Sequence, residues 1–68
     1  MNSDRIDGLV KEALPGLNFR VVLSDGKTEI LAHLAGRLKL NHIRVLVGDR
    51  VQLELSPDGR LGRIVKRL

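Results

Sequence analysis

The sequence predicts an all-β protein, a closed barrel of five short strands with one short helix between the third and fourth strands. Five segments of its 68 residues place apolar side chains at alternate positions, the period of a strand with one buried face. Turn signals rich in Gly, Pro and Asp separate most of these segments. Five strands in so short a chain would leave open edges, so we expect the sheet to close on itself.

The first two strands are predicted from their alternation and from the turn between them. The first covers about residues 6–14, where the alternation is imperfect and Gly8 marks a bend at which the sheet curls over. Pro15-Gly16 is a turn signal, because a proline cannot donate a ladder hydrogen bond. The second strand covers residues 18–23. Its core-facing side chains are predicted to be Phe19, Val21 and Leu23.

The chain then reverses at Asp25-Gly26, a strong hairpin signal, into a third strand over about residues 28–34. Residues 36–44 do not alternate and are predicted to form a short helix. Leu34 and Leu38 form an i, i+4 pair that can face the core. The outward face of this helix would carry Arg37, Asn41 and Arg44. Such a face suits contact with a polyanion, and the alternative is an ordinary solvated helix that connects two strands.

The last two strands complete the barrel. The fourth covers residues 50–55 and has the cleanest alternation, and Asp49 before it is expected to hold local backbone N–H groups with its carboxylate. A tight turn over residues 56–59 leads to the fifth strand, residues 62–67. The predicted outer face of that strand carries Arg63, Val65 and Arg67. This element order is that of the OB-fold, a five-stranded Greek-key barrel. We expect one such domain over residues 1–68, with residues 1–4 frayed.

Composition narrows the class of function. The chain has no cysteine, and its two histidines stand nine positions apart, so we expect no disulfide, no metal site and no cofactor. Its apolar runs are far shorter than the roughly 20 residues that span a bilayer, and no secretion signal is visible, which favours a soluble cytoplasmic protein. Twelve Lys and Arg against eight acids give a net charge of +4, and eight of the cations are arginine. Arginine suits bidentate contact with phosphate, so a nucleic-acid partner is expected if the cations share a face.

The sequence argues against catalysis and against base stacking. It holds no nucleophile set and no phosphate-binding glycine loop, and it is too short to enclose a cleft beside its own core. We therefore expect no enzyme. Phe19 is the only aromatic residue and is predicted to be buried, which leaves no stacking platform for single strands. Recognition of a folded RNA through phosphates, 2′-hydroxyl groups and shape is favoured instead.

Several motifs in order carry a resemblance to a known family, from about residue 6 to residue 66. They are Leu14-Pro15, Phe19-Arg20-Val21, Asp25-Gly26, Ala32-His33-Leu34-Ala35-Gly36-Arg37, Asn41-His42-Ile43-Arg44, Gly48-Asp49-Arg50-Val51, Leu53-Glu54-Leu55-Ser56-Pro57 and Gly62-Arg63-Ile64-Val65. In this order the chain resembles bacterial translation initiation factor one. The resemblance implies an OB-fold of the RNA-binding type, without enzymatic activity or cofactor, and a monomer off the ribosome.

The resemblance also implies partners and a site. The partners would be the decoding site (A site) of the small ribosomal subunit, contacted through ribosomal RNA and a neighbouring ribosomal protein, and the other initiation factors, with no membrane partner. The expected RNA-binding residues are Arg20, His33, Arg37, Lys39, His42, Arg44, Arg63, Lys66 and Arg67. Without the resemblance, His33 would be a plain surface histidine. For His42, two roles remain open, stacking on RNA and capping the helix.

This chain departs from the family pattern at a few points. Leu40 stands where a second basic residue is common, and His42 stands where an aromatic residue, usually Tyr, is common. The segment between Gly26 and Ala32 is about one residue longer, and the turn before Gly62 is about one residue shorter. Two other functions remain open at this point. They are a general RNA-binding or RNA-chaperone module, and a small β-barrel adaptor that binds protein by adding a strand at a barrel gap.

Overall fold

A computed structural model describes residues 5–68 as five strands and one short helix. The elements are β1 (Arg5–Leu14), β2 (Asn18–Leu23), β3 (Glu29–Leu34), α1 (Gly36–Leu40), β4 (Arg50–Leu55) and β5 (Leu61–Arg67). Their order is the predicted one, and no strand boundary differs from the prediction by more than one residue. The predicted fraying of residues 1–4 lies outside the described residues. No helix in the described range is long and apolar enough to cross a membrane.

The strands form a closed barrel in the order β1-β2-β3-β5-β4, and β4 pairs back onto β1. The pairing of β3 with β5 is parallel, and the other four pairings are antiparallel. The predicted five-stranded closed barrel with a helix between the third and fourth strands, the OB-fold architecture, is therefore confirmed. Each strand therefore pairs with two neighbouring strands, although the end of β1 pairs with β2 alone and the end of β5 with β4 alone.

Gly8 lies where β1 changes neighbours. It pairs with Leu23 of β2 on one side and with Val51 of β4 on the other. A Cβ atom at this position would lie 2.5 Å from Cγ1 of Val21 and 3.1 Å from the backbone oxygen of Val22. The absence of a side chain at Gly8 therefore lets the neighbouring strand and the core side chains approach the backbone of β1 closely.

The core fills the inside of the barrel with aliphatic side chains. Phe19 is only 4% exposed, so its predicted place in the core is confirmed. Leu34 and Leu38 are also buried, as their i, i+4 spacing predicted. The other buried hydrophobic residues are Val10, Val21, Leu23, Ile30, Ala32, Val45, Val51, Leu53 and Ile64. Since Phe19 lies inside, the described surface has no Phe, Tyr or Trp ring on which a base could stack, and its exposed rings are the imidazoles of His33 and His42.

The predicted helix over residues 36–44 is too long, because α1 ends at Leu40. His42 has a φ of 55°, in the left-handed region, and turns the chain out of the helix. The His42 N–H donates to the oxygen of Lys39 (3.2 Å) and the Ile43 N–H donates to the oxygen of Leu38 (3.0 Å). This is the pair of hydrogen bonds of a Schellman C-terminal cap. The predicted shared face of Arg37, Asn41 and Arg44 is therefore wrong. Of the two roles considered for His42, its backbone performs the capping.

A second prediction fails at the end of β5. The pairing passes from Leu53 opposite Ile64 directly to Gln52 opposite Lys66, so Val65 is an unpaired bulge. One extra residue reverses the alternation of side chains beyond it. Lys66, rather than Arg67, therefore shares the outer face with Arg63. Val65 lies on that face as well, because it lines the same surface depression as Arg63 and Lys66, so the predicted outer set is wrong only at Arg67.

Candidate nucleic-acid interface

Four cationic side chains line one shallow depression of about 550 Å³ on the outside of the barrel. Its charged lining residues are Arg5, Arg37, Glu54, Arg63 and Lys66. They come from β1, α1, β4 and β5, which are distant in sequence and adjacent in the fold. Four cations against one carboxylate make this surface electropositive, and its guanidinium groups are suited to phosphate.

The start of α1 is fixed against β5, which places Arg37 beside the cations of that strand. The Ala35 N–H, directly after β3, donates a 2.9 Å hydrogen bond to the oxygen of Ile64. Leu38 is buried and anchors the single helical turn to the core. Arg37 is consequently exposed at the edge of the depression that Arg63 and Lys66 line.

A row of paired residues crosses the barrel at this surface. Arg5 is in register with Glu54, Glu54 with Arg63, and Arg63 with His33. His33 is exposed, opposite the core-facing residues of β3, as the alternation predicted. A second depression of about 310 Å³ is lined by His33 and shares Glu54 and Arg63 with the first. His33 therefore continues the basic surface on the β3 side.

Glu54 forms ion pairs with two of the cations. Its Oε1 lies 2.5 Å from Nη2 of Arg63, and its Oε2 lies 3.5 Å from Nε of Arg5. The Glu54 side chain is only 16% exposed, whereas those of Arg5 and Arg63 are 48% and 54% exposed. Because each guanidinium has five N–H donors, both arginines keep donors that can face solvent or a ligand.

Arg20 lies on a different face from the depression. It is half-buried, and its Nε is 3.1 Å from Oε1 of Glu12 across the β1–β2 pair. The residues in register beside Arg20 on β3 and β5 are Leu31 and Leu61, both exposed. Arg20 therefore does not line the depression with Arg63, since β3 and these two leucines lie between them.

The remaining expected site residues lie beyond Arg37 along the chain or at the end of β5. Lys39 and His42 are exposed on α1 and directly after it. Nη1 of Arg67 donates a 3.0 Å hydrogen bond to the backbone oxygen of Arg44. Arg67 thus holds the loop between α1 and β4 against the barrel, while the side chain of Arg44 stays exposed. Leu40, where the family pattern often has a basic residue, is 81% exposed.

Three aspartates form hydrogen bonds within their own loops and do not contact the basic depression. Asp49 accepts a 2.8 Å hydrogen bond from the backbone N–H of Leu46, which confirms its predicted role. The hydrogen bond from the Thr28 hydroxyl, supported by backbone N–H groups, holds the pKa of Asp25 below its ordinary value. The hydroxyl of Ser56 likewise lowers the pKa of Asp58. Within residues 5–68, no group of three or more His, Asp or Glu residues could hold a metal ion.

Sequence reasoning missed Arg5 and the central position of Glu54. Arg5 stands next to the polar N-terminal residues, and no local motif marks it. What brings it to the depression is its register opposite Glu54 in the β1–β4 pair, a contact between residues 49 positions apart. The alternation of β4 did place Glu54 on the outer face, but it did not identify the neighbours of Glu54.

Comparison with known proteins agrees with this architecture. The family model described as "Translation initiation factor 1A / IF-1" matches residues 2–68. A similar solved structure is the solution structure of translation initiation factor one from the Wolbachia endosymbiont strain TRS of Brugia malayi. It is 37% identical to this chain with a TM-score of 0.77, and the match covers 96% of this chain and 77% of that protein.

The same barrel also occurs inside a larger protein. The crystal structure of YjeQ from Thermotoga maritima matches with a TM-score of 0.78 and 26% identity. That match covers 96% of this chain and only 23% of YjeQ, so it concerns one part of that protein. The match to the Wolbachia factor, in contrast, covers most of both proteins, and the family model spans nearly the whole chain. The predicted resemblance is thereby confirmed, and the chain belongs to the translation initiation factor 1A / IF-1 family.

Proposed function

We propose that this translation initiation factor binds the decoding site (A site) of the small ribosomal subunit through ribosomal RNA. The observation that carries the proposal is the depression lined by Arg5, Arg37, Arg63 and Lys66, on a chain of this family. In this proposal the protein works in the cytoplasm as a non-enzymatic binder. It acts together with the other initiation factors and also contacts a neighbouring ribosomal protein.

The chemistry of the surface favours phosphate and shape over base stacking. Phe19 is buried, so the described surface offers no Phe, Tyr or Trp ring, and only the imidazoles of His33 and His42 could stack on a base. Guanidinium groups from three elements can each meet a phosphate oxygen, and the closed barrel holds them in a fixed arrangement. A folded RNA presents phosphates and 2′-hydroxyl groups in a fixed arrangement of its own, so binding would order the exposed side chains of the depression but not the backbone that carries them.

The other expected residues extend this surface to different degrees. Lys39, His42 and Arg44 follow Arg37 along the chain and are exposed, so they are placed to meet RNA beyond the depression. Arg67 lies beside Lys66 and contributes in part by holding the Arg44 backbone. Arg20, paired with Glu12 on a separate face, is expected to contribute least.

Salt dependence tests the proposed binding. If about five phosphates are neutralised, the logarithm of the binding constant should fall with the logarithm of the salt concentration at a slope of about −3.5 to −4.5. The measurement is an equilibrium titration of labelled protein with purified small subunits over a series of salt concentrations. A slope near zero would contradict an RNA-binding function and would favour a protein partner.

The position on the subunit needs a separate experiment. Chemical footprinting of ribosomal RNA with and without the protein should show protection at the decoding site, and the protein should compete there with an elongator tRNA. Salt-sensitive binding without competition would favour the alternative of a general RNA-binding module. The adaptor alternative, in which a partner strand fills a barrel gap, is disfavoured in the described residues because each of β1 to β5 already pairs with two neighbouring strands.

A further inference from the structure

Glu54 occupies the middle of the basic depression. Among the residues that line this depression in the described part of the chain, four are cationic and Glu54 is the acid. Its two carboxylate oxygens face different arginines, Arg63 at 2.5 Å and Arg5 at 3.5 Å. The Arg5 side chain is also 3.5 Å from Oε1 of Gln52, on the same outer face of β4.

The carboxylate lies deeper than the arginines that it pairs with. Its side chain is 16% exposed, against 48% and 54% for Arg5 and Arg63. A phosphate that arrives from solvent therefore meets the guanidinium groups first and can bind their outer N–H donors. The charge of Glu54 remains beneath them, partly covered, where salt screens it less than a fully exposed charge.

We infer that Glu54 is a built-in competitor for RNA phosphate, which sets the affinity of the depression below the value that its four cations alone would give. Mobile counterions leave the RNA when a phosphate is neutralised, but a carboxylate attached to β4 cannot leave. It therefore continues to neutralise part of the charge of Arg5 and Arg63 and repels the phosphate in the bound state. This inference rests on the proposed function, since it requires that the depression meets RNA.

The test is the variant Glu54→Gln, which removes the charge and nearly preserves the shape. Binding is measured to purified small subunits and to poly(U), over the same series of salt concentrations. We expect Glu54→Gln to bind both about three- to tenfold more tightly, with a salt slope steeper by about 0.7–0.9, equivalent to one more neutralised phosphate.

The chain offers a matched control in Glu12→Gln. This variant removes the carboxylate of a comparable arginine pair, Glu12 with Arg20 at 3.1 Å, and changes the net charge by the same amount outside the depression. We expect its affinity for poly(U) to change less than twofold. Equal gains in the two variants would overturn the inference, because net charge alone would then explain both.

The remaining outcomes are also decisive. Unchanged or weaker binding of Glu54→Gln to poly(U) would overturn the inference and assign Glu54 to positioning Arg5 and Arg63. If Glu54→Gln does not fold, the variant Gln52→Glu replaces it, because it adds a carboxylate to the same face of β4. Gln52→Glu should weaken RNA binding about three- to tenfold. An unchanged affinity would overturn the inference. Failure of the wild-type protein to bind small subunits would instead contradict the proposed function, while the poly(U) measurement would still test Glu54.

Discussion

The backbone N–H of Ile43 donates a 3.0 Å hydrogen bond to the carbonyl oxygen of Leu38, and this bond closes the end of α1. The side chains of the same two residues reinforce the closure, since Leu38 is buried and Ile43 packs partly buried against the core. Between them, His42 adopts a φ of 55°. The direction in which the chain leaves the helix, and with it the position of Arg44, depends on this one backbone conformation.

Substitution at His42 should therefore change stability according to the tolerance of the new residue for positive φ. We expect His42→Val to lower the free energy of unfolding by about 1–2 kcal/mol, because a β-branched residue is strained in the left-handed region. His42→Asn, a residue that tolerates this region, should stay within about 0.5 kcal/mol of the wild type. Urea denaturation followed by circular dichroism measures both. Equal stability of the two variants would contradict the cap.

The close approach at Gly8 predicts a second difference in stability. Gly8→Ala would place a Cβ 2.5 Å from Cγ1 of Val21 and 3.1 Å from the backbone oxygen of Val22. We expect a loss of about 1–3 kcal/mol, typical of overpacking in a core. Gly36→Ala is the matched control, because a Cβ there would meet no atom within 4 Å, and alanine favours the helix that begins at this residue. Thermal or urea unfolding measures the stability of both variants. Equal losses of stability in Gly8→Ala and Gly36→Ala would contradict the close packing at Gly8.

Two arginines with similar ion pairs should differ in RNA binding. Arg63→Ala removes a guanidinium from the depression, so we expect about tenfold weaker binding to small subunits and a salt slope that is shallower by about 0.7–0.9. Arg20→Ala removes a guanidinium that lies outside the depression, beyond the exposed Leu31 and Leu61. It should change the affinity less than twofold. Both arginine side chains are about half exposed, and in Arg63→Ala the partly covered Glu54 keeps its ion pair with Arg5, so stability should change by no more than about 1 kcal/mol in either variant. Equal losses of affinity would show that the depression is not the principal contact.

The turn between β2 and β3 predicts a response to pH. The Thr28 hydroxyl lies 2.5 Å from Oδ2 of Asp25 and lowers the pKa of that carboxyl below its ordinary value of 3.8. A pKa lowered by folding contributes stability above the ordinary value, and this contribution is lost as the pH falls through the folded-state pKa. Thr28→Val should raise the pKa of Asp25 and leave that of Asp58 unchanged. Ser56→Ala should raise the pKa of Asp58 and leave that of Asp25 unchanged. Carboxyl titration by NMR measures both values. A pKa of Asp25 that does not move in Thr28→Val would contradict the hydrogen bond.

The strands, the core and several turns could be predicted because their signals are local. The alternation around Phe19 and Val21 follows from which face of a strand is buried, and the Gly26 turn follows from the preference of glycine for positive φ, here 75°. Asp49 was identified for the same reason, since its carboxylate bonds to a backbone N–H three residues away. In each case the deciding contact lies within a few residues or follows from simple periodicity.

The arrangement of the site could not be predicted to the same extent, because it depends on pairings between distant residues. Nothing near Arg5 indicates that it pairs opposite Glu54, and nothing near Val65 indicates that it is left unpaired. The end of α1 escaped prediction for a different reason. The position with positive φ holds a histidine rather than the glycine that usually marks a helix end.

The unpaired Val65 gives the last strand a property that its composition does not suggest. If Val65 instead paired opposite Gln52, without a bulge, Lys66 would lie opposite the core-facing Val51 and turn inward, and the Arg67 side chain would turn outward. The ammonium group that now faces the depression would be exchanged for a guanidinium, and the anchor on the Arg44 backbone would be lost. A relative that lacks the residue between Ile64 and Lys66 needs no bulge and should keep its cations on the faces seen here, whereas a relative of equal length that pairs without the bulge should carry them in the swapped order.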